Sequence, residues 1–401
     1  MKTRCPLVPG INLGLVLFLT AFLGGRESSA ALPRGDGESG IFARSLVSLG
    51  DTTRVQRALA KARAGEPVTV AVIGGSITQG AAASSFEKQY GSLVAQWWRE
   101  HFPRSKISYI NAGIGATGSN YGALRAQRDL LAHHPDFVVI EYAVNDPNDR
   151  AFAETLEGLV RQVLAQPNQP AAMLLFMMNR EGKNAQEWHA KVGAHYGLPM
   201  VSFRDALWPE IQADRIKWED VEADMVHPND RGHAYCARFV TAVLDQVLRD
   251  LPPADRLPQP GALPSPLLDD LFEHVTLREA DALVPVENSG WALDPKTKAW
   301  TSTQPGSAIR FELEGQVFLT MHYVIKGPMG RARVTVDGQK PKELEGWFDQ
   351  TWGGYRQTNE IARLAPGRHV VRFELLPESA PGSTGHEFRI LGLGAAGTVA
   401  P

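Results

Sequence analysis

The stretch "VTVAVIGGSITQG", residues 68–80, decides how the first half of this 401-residue chain folds. It begins with a short apolar run rich in β-branched residues, which is typical of a strand buried on both faces of a sheet. The run stops at two glycines and Ser76. A serine in this place either turns the chain and caps the next segment, or presents its hydroxyl at the edge of the sheet.

Four further strand-like runs come later in the chain, with helical patterns between them. Strands that alternate with helices predict an α/β fold with a parallel sheet of about five strands, covered on both faces. Ligands bind such sheets at the carboxyl ends of the strands, where Ser76 lies. The later strand-like runs cover residues 107–112, 136–143, 171–178 and 198–203, and the helical patterns cover residues 52–65, 89–102, 121–133, 152–165, 185–196 and 230–251.

The pattern changes after residue 251. Residues 252–266 are rich in proline and predict a semi-rigid linker. Beyond residue 267, strand-like runs are separated by turn signals such as "VDGQ" (336–339) and "APGR" (365–368). The sequence therefore predicts an α/β domain over residues 31–251 and a β-sandwich accessory domain, jelly-roll-like, over residues 267–401.

Residues 1–30 have the layout of a secretory signal peptide. A basic start precedes an apolar run at residues 13–23, and small residues precede a cleavage point after Ala30. An uncleaved anchor is the alternative, but the run is short beside the about 20 apolar residues of a membrane span. We therefore predict a secreted or periplasmic protein without membrane insertion after cleavage. The mature chain would keep Cys236 and lose Cys5, so it would have no intrachain disulfide.

The composition is ordinary for a soluble globular protein. Apolar residues make up 43% and charged residues 21%, and the formal net charge is -3. Because there is no basic surplus, we expect no nucleic-acid partner. The sequence does not indicate an oligomeric state.

The segment "DMVHPNDRGH", residues 224–233, offers the base that a nucleophilic serine needs. Asp224 precedes His227 by three residues, so a short turn can place the carboxylate against the imidazole. His233 is the competing base, but it falls inside the predicted last helix. A metal site formed by these three residues is the weaker alternative, because no further ligand cluster supports it.

Two other strand ends offer donors for an oxyanion hole. "NAGIGATG" (111–118) could supply the backbone N–H of Gly115 or Ala116, and "AVND" (143–146) could supply the Asn145 amide. Either segment could instead be only a loop or turn. Residues 113–118 also fit the dinucleotide fingerprint G-x-G-x-x-G, followed by Glu141, but that interpretation leaves Ser76 without a role.

Together, "GGSITQG", "NAGIGATG", "AVND" and "DMVH" resemble the four blocks of the SGNH hydrolases, also called GDSL-type esterases. The resemblance covers about residues 50–251 and implies a flavodoxin-like three-layer α/β/α sandwich. It implies that Ser76 is the nucleophile and also gives its own N–H to the oxyanion. His227 would be the base and Asp224 its partner.

The resemblance also implies oxyanion roles for Asn145 and for one of Gly115 and Ala116. By spacing, Ala116 is the alternative to Gly115 at the position that the family fills with glycine. Two other positions depart from the family pattern. Gly75 replaces the usual aspartate of the GDS block, and Ala143 replaces the usual glycine of the GxND block.

The resemblance implies hydrolysis of an ester through an acyl-enzyme, without cofactor or metal. Exported members with an added β-domain resemble carbohydrate esterases, so the expected substrate is an acetylated carbohydrate or polysaccharide. Trp347, Trp352 and Tyr355 in "WFDQTWGGY" are candidates for stacking on sugar rings, or for core packing. The alternatives are a lipid or aryl esterase, a polysaccharide O-acetyltransferase using the same serine, and a non-catalytic glycan-binding protein.

Overall fold

The structure, a computed structural model, describes residues 36–398, so the predicted signal peptide lies outside the described residues. No helix in this described part is long and apolar enough to cross a bilayer. The helices are α1 (Asp36–Ser45), α2 (Thr53–Arg63), α3 (Ser76–Gln79), α4 (Tyr90–His101), α5 (Ser119–Asp129), α6 (Arg150–Leu164), α7 (Gln186–His195), α8 (Phe203–Gln212), α9 (Trp218–Val221) and α10 (Asp230–Arg249). The strands are β1 (Leu46–Ser48), β2 (Val68–Gly74), β3 (Ile107–Gly113), β4 (Phe137–Glu141), β5 (Ala171–Phe176), β6 (Met200–Ser202), β7 (Val275–Glu279), β8 (Glu287–Ser289), β9 (Ala292–Asp294), β10 (Ala299–Ser302), β11 (Ala308–Val324), β12 (Arg331–Val336), β13 (Lys342–Glu345), β14 (Tyr355–Leu375) and β15 (Phe388–Ala396).

The first sheet has six strands in the order β1-β6-β5-β4-β2-β3. Strands β2 to β6 are parallel and are the five that the alternating pattern predicts. The sixth, β1, is a three-residue antiparallel edge strand beside β6, too short for its sequence to show a period. Strands β4 and β5 are buried along their whole length, as expected for a sheet covered by helices on both faces.

The second sheet has nine antiparallel strands and belongs to a β-rich C-terminal domain. It is built around β11 and β14, which are 17 and 21 residues long and pair along their length. The first part of β11 pairs with β8, and its second part pairs with β15. The two halves of the sheet enclose one apolar core that includes Phe311, Phe318, Phe373 and Phe388. This arrangement agrees with the predicted sandwich.

The turn predicted at "APGR" is wrong. Residues 365–368 lie inside β14, where the pairing moves from Gly315 with Gly367 to Val317 with Arg363. Residues 364–366 therefore bulge from a continuous strand, so the proline and glycine interrupt the ladder without reversing the chain. "VDGQ" does form the predicted turn, and it connects β12 to β13.

The β-rich domain packs against α5 and α6 of the first domain. Val317, Leu319 and Met321 of β11 belong to the same apolar cluster as Leu124 of α5. The segment that follows the predicted linker is also anchored, because the buried carboxylate of Glu157 on α6 accepts hydrogen bonds from the backbone N–H groups of residues 267–269. The two sheets are therefore parts of one continuously packed body.

We expect Gly158→Ala on α6 to destabilise the protein, although alanine favours a helix by about 1 kcal/mol over glycine. A Cβ on Gly158 would lie 2.2 Å from Phe272 Cβ and 2.5 Å from the Phe272 carbonyl carbon, so the packed elements would have to separate. The expected loss in the free energy of unfolding is about 1–3 kcal/mol, measured by urea denaturation.

Gly40→Ala on α1 is the matched control for this substitution. Its added Cβ would meet only the end of the Arg44 side chain, at 3.2 Å, so we expect it to be neutral or stabilising. Equal stability of the two variants would contradict the close packing at Gly158.

Candidate active site

Ser76 is the first residue of the short helix α3 and follows directly from β2. In the sheet, β2 lies between β4 and β3, so the three strand ends that carry the sequence motifs are neighbours. Their glycines allow α3 to pack closely. A Cβ on Gly74 would lie 2.1 Å from Thr78 Oγ1, and one on Gly113 would lie 2.2 Å from the Gln79 nitrogen.

His227 contacts both Ser76 and Asp224. Its Nε2 lies 2.8 Å from Ser76 Oγ, and its Nδ1 lies 2.7 Å from Asp224 Oδ2. The other carboxylate oxygen accepts hydrogen bonds from the N–H groups of Val226 and His227, at 2.8 and 2.9 Å. Partial burial acts to raise the pKa of Asp224, but the hydrogen bonds from His227 and from these N–H groups bring it below its usual value. An ionised Asp224 favours the tautomer in which Nδ1 donates to it and Nε2 accepts from Ser76.

The segment that carries Asp224 and His227 is a short hairpin. Glu222 and Pro228 form an antiparallel bridge at its base. The indole N–H of Trp218 on α9 donates to the backbone carbonyl of Asp224 at 2.6 Å. The position of the imidazole is therefore fixed by backbone and side-chain contacts within this hairpin.

Two contacts hold the segment after α3 against α10. Asp230 accepts hydrogen bonds from the N–H and hydroxyl of Ser84 and from Lys88 Nζ, each at 2.7 Å. Burial acts to raise the pKa of Asp230, but these hydrogen bonds bring it down to about 2. His233 is buried, and its Nε2 lies 3.1 Å from the Ala81 carbonyl, which agrees with a structural role.

Asn145 lies directly against the backbone of Gly75. A Cβ on Gly75 would be 2.3 Å from Asn145 Oδ1, so no side chain fits at position 75 while Asn145 keeps its place. This contact explains why the usual aspartate is absent here. Ala143 is fully buried. The next carboxylate, Asp146, accepts a hydrogen bond from the N–H of Ser119 at 2.9 Å and so fixes the start of α5.

The loop after β3 borders Ser76 on its other side. A Cβ on Gly115 would lie 3.8 Å from Ser76 Cβ. The N–H of Gly115 donates to Gln79 Oε1 at 3.0 Å, whereas the N–H of Ala116 has no partner among the described residues. Ala116 has a φ of 55°, a left-handed conformation that is uncommon for a residue with a side chain. Of the two sequence candidates, Ala116 has the N–H that is free to bind an oxyanion.

The glycine-rich loop and the acidic residue that a dinucleotide site would need are not available to bind a dinucleotide. The G-x-G-x-x-G loop packs against α3, and Glu141 is fully buried. Burial, together with the charge of Asp146, raises the pKa of Glu141 to about 8. Within residues 36–398, no group of three or more His, Cys, Asp or Glu side chains is arranged to hold a metal ion.

Two of the predicted aromatic residues stack on each other at the surface of the β-rich domain. The rings of Trp352 and Tyr355 are 5.5 Å apart with an interplanar angle of 26°, and Trp352 is 61% exposed. Phe348, which the sequence did not single out, packs edge-on against both rings. Trp347 packs elsewhere, against Gly382.

The aromatic cluster of Phe348, Trp352 and Tyr355 leads into β14, which contacts the catalytic edge of the sheet. Asn120 Nδ2, at the start of α5, donates to the Thr358 carbonyl at 3.4 Å. A cavity of about 450 Å³ is lined by the two residues that flank Asn145, Val144 and Asp146, together with others that include Asn148, Asn184 and Arg204.

Comparisons with known proteins identify the family and a similar two-domain structure. A family model described as the GDSL-like lipase/acylhydrolase family matches residues 72–235. The crystal structure of a two-domain esterase active on acetylated mannans matches with a TM-score of 0.82 and 32% identity, covering 90% of this chain and 99% of that chain. A structure described as that esterase co-crystallised with mannopentaose gives a TM-score of 0.80 at the same identity and coverage. No curated protein sequence matches. The chain belongs to the GDSL-like lipase/acylhydrolase family.

This acylhydrolase is a carboxylic ester hydrolase. A second carboxyl group, that of Glu222, lies at the base of the hairpin that carries Asp224 and His227. Glu222 is 2% exposed, and neither of its carboxyl oxygens has a hydrogen-bond partner among the described residues. Burial, followed by the charge of Asp224, raises the pKa of Glu222 to about 9. The carboxyl group is therefore neutral at pH 7 and does not repel Asp224. No local sequence pattern singles out this residue.

We expect Glu222→Gln to stabilise the acylhydrolase increasingly as the pH rises from 4.5 to about 9. The pKa of Glu222 is about 9 in the folded state and 4.5 ordinarily, so the folded protein binds more protons than the unfolded chain over this range. The free energy of unfolding of the wild type therefore falls with rising pH, whereas glutamine does not titrate. Thermal unfolding of both proteins across this range measures the difference.

Glu219→Gln on neighbouring α9 is the matched control. Its side chain is 69% exposed, so we expect a small effect at every pH. A Glu222→Gln effect that stays constant with pH would contradict the titration of Glu222.

Proposed function

We propose that this acylhydrolase is a carbohydrate esterase that hydrolyses O-acetyl esters on a polysaccharide through an acyl-enzyme on Ser76. An acetylated mannan is the first candidate substrate. The observation that carries the proposal is the hydrogen-bonded series from Ser76 through His227 to Asp224, at 2.8 and 2.7 Å. The likeness over both domains to an esterase active on acetylated mannans supports the substrate class.

The reaction begins when Ser76 Oγ attacks the carbonyl carbon of the ester and His227 Nε2 takes the hydroxyl proton. Asp224 stabilises the imidazolium that results. The tetrahedral intermediate then expels the sugar oxygen, which takes the proton from His227. A water molecule, activated by the same imidazole, attacks the acetyl-enzyme, and acetate leaves as Ser76 recovers its proton.

The oxyanion formed in both steps is bound by the Asn145 amide and by the N–H groups of Ala116 and Ser76. These donors lie on the ends of three neighbouring strands, so they are held in place before the substrate binds. Removal of one such donor typically costs about 2.7–4 kcal/mol of transition-state stabilisation. The Gly75 backbone is the surface against which the Asn145 amide is held.

We expect Gly75→Ala to lower kcat for p-nitrophenyl acetate by roughly 10²–10³-fold with little change in KM, because the new methyl group displaces a donor to the transition state. Asn145→Ala should cause a loss of the same size. The double variant should lose no more activity than Asn145→Ala alone, since both substitutions remove the same donor, the Asn145 amide.

Gly261→Ala, whose added Cβ would meet nothing within 4 Å, is the control and should keep the wild-type kcat. Multiplicative losses in the double variant would show that Gly75 acts independently of Asn145.

A polysaccharide substrate accounts for two surface features, one on the β-rich domain and one at the residues that flank Asn145. The exposed Trp352 ring, backed by Tyr355, offers a flat apolar face on which a sugar ring can stack. The cavity lined by Val144 and Asp146 also contains the side chains of Asn148, Asn184 and Arg204, whose polar groups can form hydrogen bonds with sugar hydroxyls. We also propose that the enzyme acts outside the cytoplasm, secreted or in the periplasm, on the basis of its N-terminal sequence.

Acetate release from a panel of acetylated polysaccharides tests the proposed function. We expect release from acetylated mannan, loss of that activity in Ser76→Ala, and a higher KM on polymer for Trp352→Ala with unchanged hydrolysis of p-nitrophenyl acetate. Wild-type activity in Ser76→Ala would refute the nucleophile. Stronger activity on long-chain acyl esters would instead indicate a lipid esterase, and transfer of acetyl groups to sugar rather than water would indicate an O-acetyltransferase.

A further inference from the structure

Arg125 on α5 is a charged residue with no exposed surface, and it lies beneath the candidate active site. Its Nη2 donates to the Gly74 carbonyl at 3.2 Å and to the Tyr142 hydroxyl at 3.0 Å. Gly74 ends β2 two residues before Ser76, and Tyr142 follows β4 three residues before Asn145. One planar guanidinium group therefore bridges the two strand ends that lead to the nucleophile and the oxyanion donor.

The charge of Arg125 is only partly compensated within its own helix. Nη1 lies 3.2 Å from Asp129 Oδ2, one turn further along α5, and Nε has no partner among the described residues. A buried cation with incomplete pairing is costly, and an apolar residue of similar volume would often be as stable or more so. Stability alone is therefore a weak reason for an arginine at this position.

Arg125 packs against the ring of Tyr121 on the same helix, and residues of the β-rich domain contact this tyrosine as well. The Tyr121 ring contacts two guanidinium groups, with Arg125 Cζ 5.6 Å and Arg356 Cζ 5.0 Å from the ring centroid. Its hydroxyl donates to Glu279 Oε1 at 3.1 Å, and the other oxygen of Glu279 accepts from Arg356 Nη1 at 2.9 Å. Because Arg356 and Glu279 belong to the β-rich domain, the contacts run without a gap from that domain to the Gly74 carbonyl.

We propose that Arg125 is a positioning residue that sets the spacing between the nucleophile turn and Asn145, and that Glu279 and Arg356 of the β-rich domain complete this arrangement through Tyr121. The proposal rests on the proposed roles of Ser76 and Asn145. It assigns to the β-rich domain an effect on the chemical step itself, separate from any contact with a polysaccharide. Misplacement of a reacting group by about 1 Å can cost about 100-fold in rate, so small shifts at these strand ends are sufficient.

The test is kcat and KM of the full chain on p-nitrophenyl acetate, an ester without a sugar. Arg125→Lys keeps the charge but loses the planar fork that reaches two acceptors, so we expect kcat to fall about tenfold or more with KM within about twofold. Tyr121→Phe loses the bond to Glu279, and Arg356→Gln removes the cation on the ring. Each should lower kcat by about three- to tenfold in the same way.

Arg363→Gln is the matched control. Arg363 lies on β14 as Arg356 does, and it also forms an ion pair with a glutamate, Glu154 of α6, at 2.8 Å. Its contacts do not lead to Gly74 or Tyr142. We expect this variant to keep kcat within about twofold of the wild type, since it removes a contact between the domains without disturbing Arg125.

The melting temperature of each variant is measured, and rates are compared well below the lowest one. If the variants melt earlier but keep the wild-type kcat, Arg125 is only structural and the proposal is overturned. An equal loss in Arg363→Gln also overturns it, because the effect would then belong to the domain contact in general. If Arg125→Lys does not unfold cooperatively, Tyr121→Phe and Arg356→Gln decide the question.

Ser76→Ala distinguishes this proposal from the proposed function. Undiminished hydrolysis of p-nitrophenyl acetate by Ser76→Ala would refute the nucleophile. Loss of activity in Ser76→Ala, with full kcat in the Arg125, Tyr121 and Arg356 variants, would leave the esterase mechanism intact and refute only the positioning role.

Discussion

The hydrogen bond between Ser76 Oγ and His227 Nε2 joins segments that are 151 residues apart, and the active site depends on it. Neither side chain could hold this geometry alone, since Ser76 lies on a four-residue helix and His227 on a short hairpin. Each is held by contacts outside the pair. Asp224 and its surrounding N–H groups fix the imidazole, and Asp230 ties the start of α10 to Ser84, eight residues after the serine.

The same requirement explains the glycines around the nucleophile. Three strand ends must approach one another closely enough for a serine, an amide and a backbone N–H to face one carbonyl group. Gly74 and Gly113 make room for α3, and Gly75 makes room for the Asn145 amide. Glycine at position 75 is therefore part of how this chain holds its oxyanion donor, because the amide occupies the volume that a side chain there would need.

The sequence pattern predicted those features that depend on local periodicity or on a short motif. The five parallel strands lie in strand-like runs of the sequence, and motif residues follow three of them, β2, β3 and β4, at the edge where these strand ends meet. Helix α8 was not predicted, since its ten residues contain Pro209 and follow directly from a three-residue strand. The sequence also shows β11 as two strand-like runs, residues 308–315 and 317–325. In the structure, buried and less buried residues continue to alternate through Gly315 and Gln316, so the two runs form one strand.

Features that depend on distant contacts could not be predicted from the sequence. The choice between Gly115 and Ala116 depends on the hydrogen bond that the Gly115 N–H donates to Gln79 Oε1, 36 residues away in the chain. Glu222 and Arg125 look like ordinary charged residues on an exposed surface, and only the fold shows that both are buried beneath the site. A charged side chain carries no local signal of its burial, because burial is decided by what packs over it.

The contacts between the two domains show that the β-rich domain is not a separable module. Its sheet completes an apolar cluster with α5 and α6, and the carboxylate of Glu157 on α6 accepts hydrogen bonds from the N–H groups of residues 267–269 as well as from the Tyr196 hydroxyl. Removing the domain would expose that cluster and take away three of the four hydrogen-bond donors to the buried carboxylate of Glu157, leaving the Tyr196 hydroxyl, and both effects are costly. A truncated chain would therefore lose activity whether or not the β-rich domain touches the substrate. Single side chains such as Trp352 and Arg356 can separate substrate binding from active-site geometry, because one lies on the exposed surface and the other lies against Tyr121.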